Sequence, residues 1–448
     1  MSETLSHGAH ARRILTLGLP LVASHVAQFA ISVTDAIMLG WYDVTALAAQ
    51  VLAGSMWFVL FLFGSGFAFA VMPMVAQAEA EGHSAQVRRV TRMGIWVSLI
   101  FAAVAVPILL VSEWWLAAMG QDAKVVVLAA QYLLIAAWGL IPALGVMVLK
   151  SYLSALERTR VVMWVTLAAV GANILVNYAL IFGNWGAPEL GIRGAAIASL
   201  VVHVVSLVGL IGYAIWATPE HTLFQRFWRP DWEAMGQVFR LGWPIGLTNL
   251  AEVALFAASS VMMGWLGAIP LAAHGIALQI TAVMFMVHVG LSNAATVRAG
   301  QAIGRGDGPG LRRGAWVAMG LSMIVVLISV GLFLGVPELL IGAFLDPSDP
   351  ARGEVLVIGA VFLAAAAVFQ LGDAAQVMAL GLLRGMSDTK GPMVIAMVSY
   401  WIIGAPMSYV FGFVLGWGGV GIWLGLASGL VFAGLLLIIR FARRSRAV

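Results

Sequence analysis

Leu17-Gly18-Leu19-Pro20 and Leu241-Gly242-Trp243-Pro244 decide the fold, because they open two stretches that match without a gap at an offset of 224 residues, half the chain of 448. Outward from them, at the same offset, Met38-Leu39-Gly40-Trp41 matches Met262-Met263-Gly264-Trp265, and Leu47-Ala48-Ala49 matches Leu271-Ala272-Ala273. Gly66 pairs with Gly290, Gln77-Ala78 with Gln301-Ala302 and Arg88-Arg89 with Arg312-Arg313. Further on, with small shifts, Thr159-Arg160-Val161-Val162-Met163 is similar to Thr389-Lys390-Gly391-Pro392-Met393. Apolar sequence aligns loosely with any other apolar sequence, but paired Gly-Trp, Gly-Gln and Arg-Arg matches do not arise that way. The chain is a tandem repeat of one unit.

Each unit is membrane-embedded. The chain is 62% hydrophobic and only 10% charged, against about 25% charged in soluble proteins. Twelve apolar windows reach the length a membrane helix needs: roughly 14–40, 46–76, 93–113, 123–148, 161–183, 191–216, 241–265, 269–297, 314–336, 353–382, 392–415 and 418–439. The first is too long for a signal-peptide core and is read as a retained span. An even number puts both termini on one side. Lys and Arg favour that side by 21 to 3, with Lys150 and Arg384 counted among the 21, so both termini are expected in the cytoplasm. Six spans per repeat make the repeats parallel, related by an axis along the membrane normal. The expected architecture is an all-α polytopic protein with an N-terminal six-helix lobe over 1–216, a cytoplasmic loop over 217–239 and a C-terminal six-helix lobe over 240–448.

Composition also excludes. The net charge of +4 lies in short loops and reads as topology-setting charge, so no nucleic-acid partner is expected. With no cysteine, disulfides, thiol catalysis and thiolate metal sites are ruled out. There is no phosphate-binding Gly-Lys-Ser/Thr loop, so the chain does not hydrolyse ATP itself. Gly64-Ser65-Gly66 lacks the spacing of a serine-hydrolase elbow, and Leu371-Gly372-Asp373 lacks the extra glycine of intramembrane aspartyl proteases. The chain is therefore not read as an enzyme, and a membrane-embedded hydrolase is disfavoured.

Three acids, Asp35, Glu252 and Asp373, lie inside apolar stretches of a chain with 20 Asp and Glu in all. An ionised carboxylate in hydrocarbon costs at least about 2.5–3.5 kcal/mol, so an embedded acid is a functional hypothesis by default. Depth follows from the nearest cytoplasmic charge at about 1.5 Å per residue. Glu252 lies twelve residues after Arg240 and Asp373 eleven before Arg384, which sets both about 16–18 Å in, near the bilayer centre. If the two face each other, either one holds a proton or both share a cation, since paired carboxylates in a dry site do not both ionise. Asp35 lies 22 residues past Arg13 and belongs to the outer half of the first span. Asn173 and Asn177, four apart on one helix face, and Ser199 approach its level. Those four oxygens suit a proton relay or a hard cation. At the repeat offset, Asp35 corresponds to Ser259 and Glu252 to Gln28, so the scaffold is duplicated and the charges are not.

Two similar lobes with embedded carboxylates describe a secondary transporter, with its site near the midplane and alternating access by one lobe moving against the other. Gly and Pro inside the spans, among them Pro20, Pro142, Pro244 and Pro406, loosen helices where bending could accompany that motion. Gln28, Asn249, Phe256, Met262, Met286, Phe369, Gln370 and Met378 are candidates for an adaptable substrate cavity. His25, His203, His274 and His288 are intramembrane without metal-ligand spacing, and hydrogen bonding within the core or along a pore is the expected role. Trp114, Trp115 and Trp185 read as interfacial anchors.

The two Leu-Gly-x-Pro openings, the repeated Gly-Trp ends and Leu383-Arg384-Gly385-Met386-Ser387-Asp388-Thr389-Lys390-Gly391-Pro392-Met393 resemble the multidrug and toxic compound extrusion (MATE) transporters over essentially the whole chain. Asp35 with Glu252 and Asp373 is similar to the NorM-type bacterial branch. That resemblance implies a V-shaped antiporter; a monomer of the bacterial inner membrane without cofactor is the expectation. It would export cationic amphipathic drugs in exchange for H⁺ or Na⁺, with Glu252 and Asp373 as the C-lobe cation site and Asp35, Asn173 and Asn177 as an N-lobe one. Phe369 stands where some NorM-type proteins have a tyrosine, and losing that hydroxyl favours H⁺ over Na⁺. A cytoplasmic-loop role in turn formation is expected of Asp388. A lipid-linked oligosaccharide flippase of the wider superfamily would line its cavity with cations for a pyrophosphate, and no membrane-centre cation is legible here. A channel is the remaining alternative.

Overall fold

The computed structural model describes residues 6–348 and 350–448. Among them are twelve helices long and apolar enough to cross a membrane: His7–Tyr42, Val44–Ala80, Ser84–Leu110, Ala123–Ala155, Thr159–Phe182, Ile192–Ala217, Trp232–Leu266, Ala268–Gly304, Gly308–Gly335, Arg352–Gly385, Lys390–Val414 and Gly418–Arg444. They are called the first to twelfth helices below. No strand occurs among the described residues.

The helices outrun the apolar windows, and they do so at one end. The first starts at His7, the third at Ser84 and the seventh at Trp232, while the second, fourth and eighth run on to Ala80, Ala155 and Gly304. All six extensions lie on the side expected to be cytoplasmic. Hydropathy marks where hydrocarbon ends, whereas the i→i−4 backbone ladder continues into water as long as the residues tolerate it. The seventh helix thereby takes in 232–239, which the sequence reading assigned to the inter-lobe loop. Where helices begin, short polar side chains take the orphan amides. Asp43 accepts from the Ala46 amide at 2.9 Å, Asp122 from Lys124 at 3.0 Å, and Asp307 from Gly310 at 2.8 Å.

Two compact units result, one made of Met1–Val22 with Leu247–Val448 and the other of Ala23–Gly246. The division runs through the first and seventh helices, not through the loop at 217–239. Glycines explain why. A Cβ on Gly66 of the second helix would stand 2.7 Å from the Cα of Gly246, and one on Gly290 of the eighth would stand 2.6 Å from the backbone nitrogen of Val22. The lower part of the seventh helix is thus packed backbone-to-backbone on the second, and the lower part of the first on the eighth. Small residues permit such contact between membrane helices. Gly66 and Gly290 are repeat-related, so the exchange of helix ends is itself duplicated.

The segment between the sixth and seventh helices is held by side chains of its own unit. Arg92 donates to the Gln225 carbonyl at 2.8 Å and Trp96 to that of Phe227 at 2.9 Å. Arg88 donates to Thr222, and Tyr152 bonds both Thr218 and the ring of His221. Arg89 pairs with Asp231 and Glu233. The Arg89 hydrogen bonds hold the Asp231 carboxyl below the usual carboxylate range. In the other unit the eleventh helix is irregular, with π-helical stretches at Ser399–Gly404 and Val410–Val414 on either side of Pro406. Stretches of this kind are frequent at functional sites.

Candidate functional site

In the C-terminal lobe the seventh, tenth and eleventh helices bring together a buried, polar centre. Glu252 and Asp373 are both buried, and each acts electrostatically on its surroundings there. Gln376, one helical turn beyond Asp373, donates its amide to a Glu252 carboxylate oxygen at 3.0 Å. Around this bond several polar atoms have no partner: Oδ1 of Asp373, both amide atoms of Gln370, the carbonyl oxygen of Gln376, the hydroxyl of Tyr400 and the indole nitrogen of Trp423. Tyr400 comes from the first π-helical stretch and feels Glu252, Asp373 and Arg384. Buried polar groups are almost always paired, so a concentration of unpaired ones makes this centre a candidate site. Phe369 and Phe256 close one side, with ring centroids 5.9 Å apart, and Phe369 packs edge-on against Trp423 at 5.5 Å.

The N-terminal lobe holds the second site. Asn173 donates to Oδ1 of Asp35 at 3.0 Å, Asn177 donates to the same oxygen, and Ser199 donates to Oδ2 at 3.3 Å. Asn177 also donates to the Asn173 carbonyl, and its own carbonyl oxygen has no partner. The hydroxyl of Tyr132 lies within reach of Ser199 and Gln50 at the edge of the group. Asp35, Asn173 and Asn177 are all buried. The structure thus brings all four of the N-lobe residues named from the sequence together around one carboxylate.

The profile of the MatE family matches residues 20–179 and 244–410, one block on each repeat. The chain belongs to the MATE family. Among relatives, it is 46% identical over 442 residues to a "Probable multidrug resistance protein NorM" of Rhizobium meliloti (strain 1021), covering 98% of this chain and 94% of that one. To the protein of the same name from Agrobacterium fabrum it is 43% identical over 448 residues, covering 98% and 96%. Both place it in the NorM-type branch. Among solved structures, a MATE protein in complex with MaL6 superposes with a TM-score of 0.88 at 18% identity, covering 98% of this chain and 97% of that one. The eukaryotic MATE transporter AtDTX14 superposes with a TM-score of 0.86 at 19% identity, covering 98% and 99%. At those identities the likeness is one of fold.

Within this MATE chain, two of the counted cytoplasmic charges, Lys150 and Arg384, reach back along their helices to polar side chains. Lys150 belongs to the fourth helix, and its ammonium donates to the Gln28 side chain at 3.1 Å. Arg384, in the last turn of the tenth helix, reaches back to donate to Asn249 at 3.2 Å and acts electrostatically on Glu252. Long stems let both heads reach well away from their own Cα. The charge asymmetry of the loops survives without them. Of the cavity candidates, Gln28 belongs to the unit Ala23–Gly246, and Asn249, Phe256, Met262, Met286, Phe369, Gln370 and Met378 to the other. Met262 and Met378 are buried in packing.

Asp388 has a role the sequence did not announce, while two histidines have the one expected of them. Asp388 is clamped by both Nε and Nη2 of Arg440, at 2.7 and 3.1 Å, which ties the tenth–eleventh connection to the twelfth helix in addition to any turn it forms. His274 lies 3.4 and 3.3 Å from the hydroxyls of Ser259 and Ser260, and His288 bonds that of Ser322, as expected of core histidines. Gln376 and Tyr400 were missed. Gln376 had a signal, since three residues past Asp373 is the same helix face. Tyr400 had none, because π-helical winding shifts which side chains face inward.

Proposed function

We propose that this chain is a secondary active exporter of amphipathic drugs, cationic ones among them, that exchanges each for H⁺ or Na⁺ by alternating access. The observation that supports the reading is a buried carboxylate site in each lobe, Glu252–Gln376 with Asp373 in one and Asp35–Asn173–Asn177 in the other. A carboxylate embedded in membrane is expensive unless it holds a proton or a cation. A site that binds the ion and then releases it on the other side turns that cost into coupling. Each elementary charge moved inward contributes about 2.3 kcal/mol per 100 mV. The C-lobe site is the primary coupling site and the N-lobe site the secondary one. Tyr400 and Gln376 offer neutral oxygens near Glu252 and Asp373, where the hydroxyl is absent at Phe369. The site thus serves either ion.

The relatives' names, multidrug resistance proteins, support drug export, and the twelve spans support a bacterial inner-membrane location with cytoplasmic termini. The test is dye retention in cells stripped of their own exporters. Expression should lower ethidium accumulation several-fold, and a protonophore or a sodium ionophore should restore it. Equal accumulation with and without the protein would sink the drug-export reading.

A further inference from the structure

The connection between the sixth and seventh helices reads from the sequence as a cytoplasmic loop, but its contacts place it closer to the membrane. Trp96 of the third helix donates its indole hydrogen to the Phe227 carbonyl, and Arg92 donates to that of Gln225. The Asp231 amide points at the sulfur of Met93, 3.4 Å away. The apolar window of the third helix begins at residue 93, so the Cα of Trp96 stands about 4–5 Å inside it. Its side chain leans back toward the start of the helix, which returns the Phe227 carbonyl to the edge of the window. Residues 225–231 therefore lie where hydrocarbon gives way to headgroups, a layer about 5–8 Å deep on each side of a bilayer.

The segment is built to show a particular face there. Phe227 turns inward and stacks on Trp96 with ring centroids 5.8 Å apart, and Leu223 is buried. Arg226 takes a φ of +52°, and the Arg229 amide bonds back to the Arg226 carbonyl at 3.0 Å, so 226–229 is a tight turn. Trp228 in that turn is 76% exposed, and Gln225, Arg226 and Arg229 are exposed beside it. The charge is one-sided. Over 84–92 and 222–233 stand five arginines, Arg88, Arg89, Arg92, Arg226 and Arg229, against two acids, Asp231 and Glu233. Both acids are taken by Arg89. No described carboxylate pairs with the other four arginines, and Arg88 and Arg229 lie close enough to Arg92 to act on it with like charge.

Open water would screen that excess, whereas at the edge of hydrocarbon it calls for an anion. The neighbours say which. An indole favours the headgroup level, and a guanidinium forks onto phosphate oxygens. Side by side they match a phosphate carried on an apolar chain. A soluble anion would leave the indole without a partner.

We propose that the turn 226–229, backed by Arg92, is a binding surface for anionic phospholipid of the adjoining leaflet. Trp228 is seated at the upper ends of the acyl chains, and Arg226 and Arg229 hold headgroup phosphates. The surface stands apart from both carboxylate sites and does not depend on the transport reading.

The chain has no cysteine, so a single introduced one can carry a bimane fluorophore. Three labelled full-length proteins are compared in liposomes: Trp228→Cys, Gln225→Cys, which keeps Trp228, and Ser84→Cys, about 13 Å outside the third window along its helix. Quenching is read with brominated phosphatidylglycerol, with brominated phosphatidylcholine and with aqueous iodide. Labels at 228 and 225 should be quenched by brominated lipid and shielded from iodide, and the label at 84 should behave the opposite way. In mixtures of the two lipids, the label at 225 should report a preference for phosphatidylglycerol of about tenfold, the order that two arginines at an anionic surface give. Arg226→Gln with Arg229→Gln should bring that preference close to one while leaving the melting temperature and the shielding from iodide in place. Should removing the indole free the turn, the Gln225 label still reads it. Iodide quenching at 225 as strong as at 84 would put the turn in water and overturn the surface. Equal quenching by the two lipids, or a preference that survives the double substitution, would overturn it as well. A label at 225 shielded from lipid and iodide alike would mark a protein partner instead, and that too would overturn the lipid surface.

Discussion

Asp35 accepts two amide hydrogen bonds at a single oxygen, from residues four apart on the fifth helix. Glu252 accepts one, from Gln376. The first carboxylate is therefore held by its protein partners, and the second is left with fewer. Removing the holders should expose the difference. Asn173→Leu with Asn177→Leu leaves the Asp35 carboxylate buried and stripped of amides, which should lower stability by about 1–3 kcal/mol. Adding Asp35→Asn to that pair should recover part of it, because a neutral amide costs less to bury than a carboxylate. Thermal melting of the purified variants reads both steps, and a double variant that melts with wild type would contradict the assignment. The cluster was legible in the sequence because helical spacing and depth counting are enough to find a shared face and a shared level. Lys150 was not, because it stands just beyond an apolar window, where a loop charge and an inward-reaching one look alike.

At the scale of elements, the two backbone contacts at Gly66 and Gly290 hold the exchanged ends of the seventh and first helices. Backbone cannot step aside as a flexible side chain can, so Gly66→Ala and Gly290→Ala should each destabilise by about 1–3 kcal/mol or push the helices apart. Gly320→Ala, with open space around its Cβ position, is the control, and it should be neutral or raise stability by up to about 1 kcal/mol. Melting temperatures that rank the three variants alike would contradict the packing. Helix number, order and the repeat were legible from hydropathy and the paired motifs, and so were the two glycines. Their partners were not, since a sequence repeat reports equivalence and says nothing about which helix each glycine meets. Pro20 and Pro244 fall two residues before the ends of the exchanged segments, at Val22 and Gly246. Each removes a backbone donor and weakens the ladder there, which fits a helix that serves two units.

For the whole molecule, duplication supplied one scaffold twice, and divergence gave the copies different charges. The C-terminal lobe concentrates two carboxylates and several unpaired polar atoms, whereas the N-terminal lobe separates a well-held carboxylate from a lone ammonium. The coupling proposed above draws mainly on the C-terminal lobe. The measurement that tests this most directly is dye efflux from proteoliposomes under separately imposed pH and Na⁺ gradients, with wild type beside Glu252→Gln and Asp373→Asn. Wild type should respond to at least one gradient, and each variant should lose at least about 90% of that response, the tenfold that about 1.4 kcal/mol represents, while still binding dye. Gradient-driven efflux undiminished in both variants would contradict the account.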